Sequence, residues 1–154
     1  MRRLKLTQGK YALLSDEDYE KMSKYKWCAH QYSPGKWRVM RRPAYNDCRY
    51  LHREIVGAEK GQIVDHINRD GLDNRRENLR IVTKQQNSAN SKTTSRSGYK
   101  GVEVRDGVFR AYISVDGNRF WLGKYPSKKE AAAAYNHIAL EWFGKYAYLN
   151  DIKD

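Results

Sequence analysis

Residues 63–91 read IVDHINRDGLDNRRENLRIVTKQQNSANS, and the rest of the chain is organised around this stretch. Carboxylate, imidazole and amide groups crowd into one short hydrophilic segment between two apolar runs. That is the pattern of a site, not of a core. Ile63-Val64 reads as a short β-branched strand. The polar residues from Asn68 to Asn78, with Asp70-Gly71 and Asp73-Asn74 as turn formers, read as a loop. Leu79 to Val82 reads as a second strand. Thr83-Lys84-Gln85-Gln86 has the spacing of a capping box, so a helix is predicted to begin there with Asn87 one turn inside it. Asp65 and His66 leave an extended strand on opposite faces, so a bend near them is expected before both can serve one site.

The D-H-I-N, D-N-R-R-x-N-L-R and Q-x-N signatures, in the order strand, loop, strand, helix, resemble the HNH endonucleases. The likeness is nearest to the homing-endonuclease branch of phages and mobile introns. It implies a ββα-metal motif over 63–91, with His66, Asn78 and Asn87 as the three motif residues. The third position is often His in the wider family, so this is an H-N-N variant. An amide oxygen still suits a hard cation such as Mg²⁺ or Mn²⁺, which prefers oxygen ligands and retains water. Hydrolysis of a phosphodiester needs a deprotonated water, neutralised phosphoryl oxygens and a stabilised leaving oxygen. The resemblance implies His66 as the base, Asp65 and Asn87 as ligands of one divalent ion, and Asn78 as the brace of the loop.

Thirty Lys and Arg against eighteen Asp and Glu leave a net charge of +12, which favours a polyanionic partner. The length suits one ordinary domain or two to three small ones. Four Trp and twelve Tyr argue against disorder. The absence of a long apolar run or a cleavable leader predicts a cytosolic protein, in a bacterium or phage-infected host. Cys28 and Cys48 fit neither a disulfide framework nor a zinc pair and read as small packed side chains.

Before the central stretch, Lys10 to Leu14 reads as a strand, and Ser15 caps a helix reaching about Tyr25. Trp27–Tyr32 and Trp37–Arg42 flank a Ser33-Pro34-Gly35-Lys36 turn. Leu51–Val56 is a short amphipathic element ended by Gly57. Arg38, Arg41, Arg42 and Arg49, with Trp37, Tyr45 and Tyr50, are candidates for lining a DNA backbone. A solvated basic face is the competing reading. His52 is a second candidate site histidine, with packing or phosphate contact as its expected role.

Residues 91–97 hold no large apolar side chain and read as a linker between a nuclease domain over 1–90 and a module over 98–151. In that module the period becomes two. Phe109, Ala111, Ile113 and Val115 alternate with Arg110, Tyr112 and Ser114, and Phe120 and Leu122 alternate with Arg119 and Trp121. Three antiparallel strands from Gly101 to Tyr125 follow. A helix capped by Ser127 and ended by Gly144 carries Ala131, Ala134, Tyr135, Ile138 and Trp142 on one stripe. The set Tyr99-Lys100-Gly101-Val102, Trp121-Leu122-Gly123, Glu130-Ala131-Ala132 and Leu149-Asn150 resembles the Apetala/ethylene-response-factor DNA-binding domain. That likeness implies a sheet face of Lys100, Arg105, Arg110, Tyr112, Arg119 and Trp121 directed at duplex DNA. Glu103 stands where many relatives carry Arg.

The expectation is therefore an α+β protein: a ββα-metal nuclease followed by a three-stranded sheet on one helix, acting on double-stranded DNA as a monomer that nicks one strand. Two other classes compete with it, a non-catalytic DNA-binding regulator and an RNA-binding basic protein. Metal-dependent cleavage separates the first from both.

Overall fold

Short β-branched and apolar runs, each stopped by a turn former, give small sheets here and no large one. The computed structural model describes residues 1–92 and 95–152 and divides into two compact units, Met1–Thr83 and Lys84–Asp154.

In the first unit, β1 (Arg2–Lys5) pairs antiparallel with β2 (Tyr11–Leu14). Helix α1 (Asp16–Met22) opens with Asp16, Glu17 and Asp18, acids that suit the positive end of a helix. Strands β3 (Cys28–Ser33), β4 (Lys36–Ala44) and β5 (Asp47–Tyr50) form one antiparallel sheet in that order. Helix α2 (Leu51–Val56) ends at Gly57, which takes φ 64°, the left-handed cap that glycine adopts without a Cβ clash. Strands β6 (Ile63–His66) and β7 (Leu79–Val82) form the expected hairpin, in register from Ile63↔Val82 to His66↔Leu79.

The core of this unit joins Leu4, Leu6, Ala12, Leu14, Trp27, Ala29, Val39, Leu51, Ile55 and Leu79. Leu14, Val39 and Leu51 are fully buried, each contributing roughly 1.5–3 kcal/mol of transfer free energy. The loop between β6 and β7 is tied to this core by its backbone. Leu13 N–H donates to the Leu72 carbonyl (2.9 Å) and Asn74 N–H donates to the Leu13 carbonyl (2.8 Å). A second tie is ionic: Arg76 donates to the buried carboxylate of Asp18 at 2.8 Å.

The second unit holds α3 (Lys84–Asn90), β8 (Val102–Arg105), β9 (Val108–Val115), β10 (Asn118–Tyr125) and α4 (Lys128–Phe143). The sheet is antiparallel in the order β10-β9-β8, and α4 packs on it through Ala131, Ala132, Tyr135 and Ala139. Small alanines let the helix approach closely. Ser127 Oγ accepts from Glu130 N–H and donates to the Glu130 carboxylate, which gives the N-cap half of the predicted capping box. Gly101 shows how tight the packing is: with φ +72°, a Cβ there would lie 2.0 Å from Tyr135 Cδ2.

Several expectations need correction. Trp142 is 44% exposed and lies off the buried stripe, meeting Phe120 edge-on at 5.3 Å; Phe120, expected inside, is also 44% exposed. The cause is positional, since β10 is an edge strand and its register shifts between Trp121 and Gly123. Cys28 and Cys48, expected to be packed, are both exposed, each on an outer strand of the three-stranded sheet of the first unit. Helix α3, which precedes the 91–97 stretch, bonds within the second unit. Ala89 carbonyl accepts from Tyr148 N–H at 2.9 Å, and the Gln85 amide meets Ser114 and Asp116. Thr93 and Thr94 of that linker lie outside the described residues. Among the described residues, no helix is long and apolar enough to cross a membrane.

Candidate active site

Strand β6 delivers Asp65 and His66 from successive positions, so their side chains leave on opposite faces. The strand stays extended through His66, and the turn comes after it: Arg69 N–H donates to the His66 carbonyl at 2.8 Å, with Arg69 at φ 65°. The expected bend therefore lies beyond the Asp-His pair.

Asp65 is 8% exposed, and its Oδ2 accepts from Arg80 Nε (2.9 Å) and Nη2 (2.8 Å), its register partner on β7. His66 Nε2 lies 3.4 Å from Asn74 Oδ1. Its ring meets that of His52 edge-on, with centroids 5.1 Å apart, and His52 in turn stacks on Tyr50. Burial pushes both imidazoles toward the neutral form. His52 goes down to about 3, from burial first and then from His66, Arg53 and Arg38. His66 is lowered by burial, while the Asn74 bond and the carboxylates of Asp65, Asp70 and Asp73 pull the other way. A neutral imidazole can accept a proton.

Asn78 is buried at the foot of the loop and fastens it. Its Nδ2 donates to Asn68 Oδ1 (2.9 Å) and the Asp73 carbonyl (2.7 Å), and its Oδ1 accepts from Asn68 N–H (3.0 Å). Asp73 accepts from Arg75 and Asn68, and the Arg75 guanidinium holds its carboxyl below the usual carboxylate range. The loop is thus rigid without a regular ladder, because nearly every polar side chain in it answers a backbone or side-chain partner.

Asn87, the third motif residue, is exposed on α3 in the second unit. Among the described residues no group of three or more His, Cys, Asp or Glu gathers in a metal-binding cluster. Asp65 and Asn87, the ligands that the resemblance implies, belong to different units.

The expected DNA-facing residues divide. Arg110, Tyr112, Arg119 and Trp121 share one sheet face in register, with Trp121 opposite Tyr112 and 56% exposed. The Arg119 guanidinium lies 3.3 Å over the Tyr112 ring and donates to Glu103 at 3.2 Å, so the departure at Glu103 engages a basic residue of that face. Arg105 is exposed beside Asp106, and Arg42 is exposed on β4. Arg38 is half-buried, over the Tyr32 and Tyr50 rings. Two candidates have partners within the chain. Lys100 Nζ donates to the carbonyls of Ser88, Ala89 and Ser91 at 2.7–3.0 Å, which uses all three of its hydrogens to cap the end of α3. Arg41 forms a bidentate pair with Glu54 and stacks on Tyr25, so it braces β4 against α2. Sequence reasoning missed Asn74 and Arg80 as neighbours of His66 and Asp65. The only signal for Arg80 was its place opposite Asp65 once the hairpin register is drawn.

A family model described as HNH endonuclease matches residues 49–89, which span β6, the loop, β7 and nearly all of α3. A protein of Acanthamoeba polyphaga mimivirus, named "Uncharacterized HNH endonuclease L560", is 31% identical over 157 residues, covering 94% of this chain and 77% of the relative. No solved structure matches the chain.

Proposed function

The chain belongs to the HNH endonuclease family and is a DNA nuclease, and from that premise we propose that it is a site-specific, homing-type enzyme that nicks one strand of duplex DNA with a divalent ion. The observation that carries this reading is His66, a half-buried imidazole that burial pushes toward the neutral form, set at the end of β6 beside a loop whose polar groups are bonded to one another.

In this reading His66 takes the proton from the attacking water, as a base poised for near-neutral pH does. Asn78 keeps the loop closed so that His66 stays placed. Asp65 and Asn87 would hold the ion; both assignments come from the motif and not from geometry, since β6 sends Asp65 to the face opposite His66 and its carboxylate is bonded to Arg80. A bound Mg²⁺ or Mn²⁺ neutralises charge on the phosphate and the leaving oxygen. The chain supplies one His66-type residue, so a monomer acts on one phosphate at a time. Supercoiled plasmid bearing the target is expected to accumulate as open circle at limiting enzyme, with 5′-phosphate and 3′-hydroxyl ends. Linear product with no open-circle intermediate would reject nicking and leave the nuclease itself standing.

The Apetala/ethylene-response-factor-like sheet is read as the module that places the nuclease on its site. Three antiparallel strands on one helix, with Arg and Trp on the open face, support this. Alanine at Arg105, Arg119 or Trp121 is expected to weaken target binding by roughly 1–3 kcal/mol if the side chain reads bases. Arg119 stands at the low end of that range, since it must leave Glu103. Filter binding on target and random duplexes checks it: equal losses on both would show a face that only grips the backbone.

A further inference from the structure

We propose that Glu103 is a specificity-determining residue of the open sheet face in the second unit, its carboxylate accepting from the exocyclic amino group of a cytosine and selecting against duplexes that lack one there. This rests on the reading above that the sheet meets duplex DNA.

Strand β8 turns Val102, fully buried, toward α4 and puts Glu103 on the other side, the side of Tyr112, Arg119 and Trp121. An acid runs against the purpose of such a face. Phosphates are gripped by cations, and a carboxylate among those cations removes charge and repels the polyanion. Glu103 is not simply neutralising its nearest neighbour. Its register partner on β9 is Arg110, yet it accepts from Arg119 Nη2 on the far strand, at 3.2 Å. The Tyr112 ring lies between the two strands, 3.3 Å under the Arg119 guanidinium. Acid, ring and base therefore form one row across all three strands. The side chains of Glu103 and Arg119 are 43% and 52% exposed, and an ion pair so open to water is weak. It can part wherever DNA gives both members better partners.

A G·C pair does so at its major-groove edge. Arginine takes the O6 and N7 acceptors of guanine, and a carboxylate takes the N4 amino group of cytosine. The two groups are neighbours there, because O6 accepts the other N4 hydrogen in the base pair, and Glu103 and Arg119 already stand side by side. Adenine also carries an amino group, but its N7 acceptor sits beside it and repels a carboxylate. On any other edge Arg119 can still turn to a phosphate. Glu103 is then left facing acceptors, to which an ionised carboxylate has nothing to donate. The acid thus turns a face that would grip any duplex into one that discriminates.

The test uses the full chain in excess chelator, so that DNA is bound and not cut. Sites are selected from a duplex library with a randomised core, and affinity for one random-sequence duplex is followed against salt by fluorescence anisotropy. The native chain is expected to recover sites in which one position prefers cytosine by roughly 5- to 150-fold, the range of one good base contact. Glu103→Gln is isosteric and lies on an exposed face, so the fold is kept. It should lose that preference and move it toward adenine, whose N6 and N7 suit an amide, with other positions unchanged. On the random duplex it should bind more tightly than the native chain, with a salt slope steeper by about one phosphate contact as Arg119 is released to the backbone. An unchanged site preference in Glu103→Gln would overturn the proposal, as would weaker binding of the random duplex or a native chain that selects no sequence. Arg119→Ala and Trp121→Ala tell the two failures apart. If both bind as the native chain does, the sheet does not meet DNA; if both weaken while Glu103→Gln changes nothing, only the role of Glu103 falls.

Discussion

His66→Ala is expected to cut duplex DNA at least about 10²-fold more slowly than the native chain in Mg²⁺, the lower end of general-base effects. The ring makes no strand-pairing bond of its own and is partly exposed, so its removal should leave the β6–β7 hairpin folded. Affinity for DNA should be nearly unchanged, because a base acts on a bond formed in the transition state and not in the bound ground state. Single-turnover rates beside filter binding separate the two. A His66→Ala protein that binds and cuts normally would remove His66 from the chemistry.

The second large effect is expected at a residue that touches no substrate. Gly71→Ala puts a methyl group 2.0 Å from the Trp37 carbonyl oxygen and about 3.1 Å from its carbon. Both atoms are backbone, so neither can swing aside, and the loop or β4 has to move. Forced overpacking of this kind costs about 2–3 kcal/mol, a large fraction of the stability of a small unit. Cleavage should fall with it, since Gly71 belongs to the loop that follows His66 and its carbonyl accepts from Asn74 Nδ2. Gly9→Ala is the comparison: it lies at φ +64° with open space around it, so only the left-handed backbone strain of about 1–2 kcal/mol applies. Urea denaturation of the two variants orders them. Gly71→Ala as stable as the native chain would show that the loop yields there.

Local rules make much of this chain legible in its sequence. Ser127 with Glu130 marks the start of α4, Gly57 stops α2, and the alternation around Ala111 and Ile113 separates the helix-facing side of the sheet from the basic side. Asp65, His66 and Asn78 stand out because their types and offsets match a motif. What stays hidden is pairing through space. Arg41 meets Glu54, Arg80 meets Asp65, His52 packs on His66, and Lys100 folds back on α3. Each is set by strand register or by a turn, and neither carries a periodic signal. A basic residue in a basic chain reads as a DNA contact until a carboxylate or a row of carbonyls is found beside it. The same limit applies to Asn74, one asparagine among several in a turn-rich loop, which meets His66 only through the fold.

The most direct measurement is cleavage of target-bearing duplex by the native chain with Mg²⁺, with Mn²⁺ and in excess chelator, with the product ends mapped. Hydrolysis at the proposed site predicts discrete cuts leaving 5′-phosphate and 3′-hydroxyl ends in either ion, and none in chelator. Undiminished cutting in chelator, or intact DNA under every condition while binding persists, would contradict metal-dependent hydrolysis by the residues of 63–91.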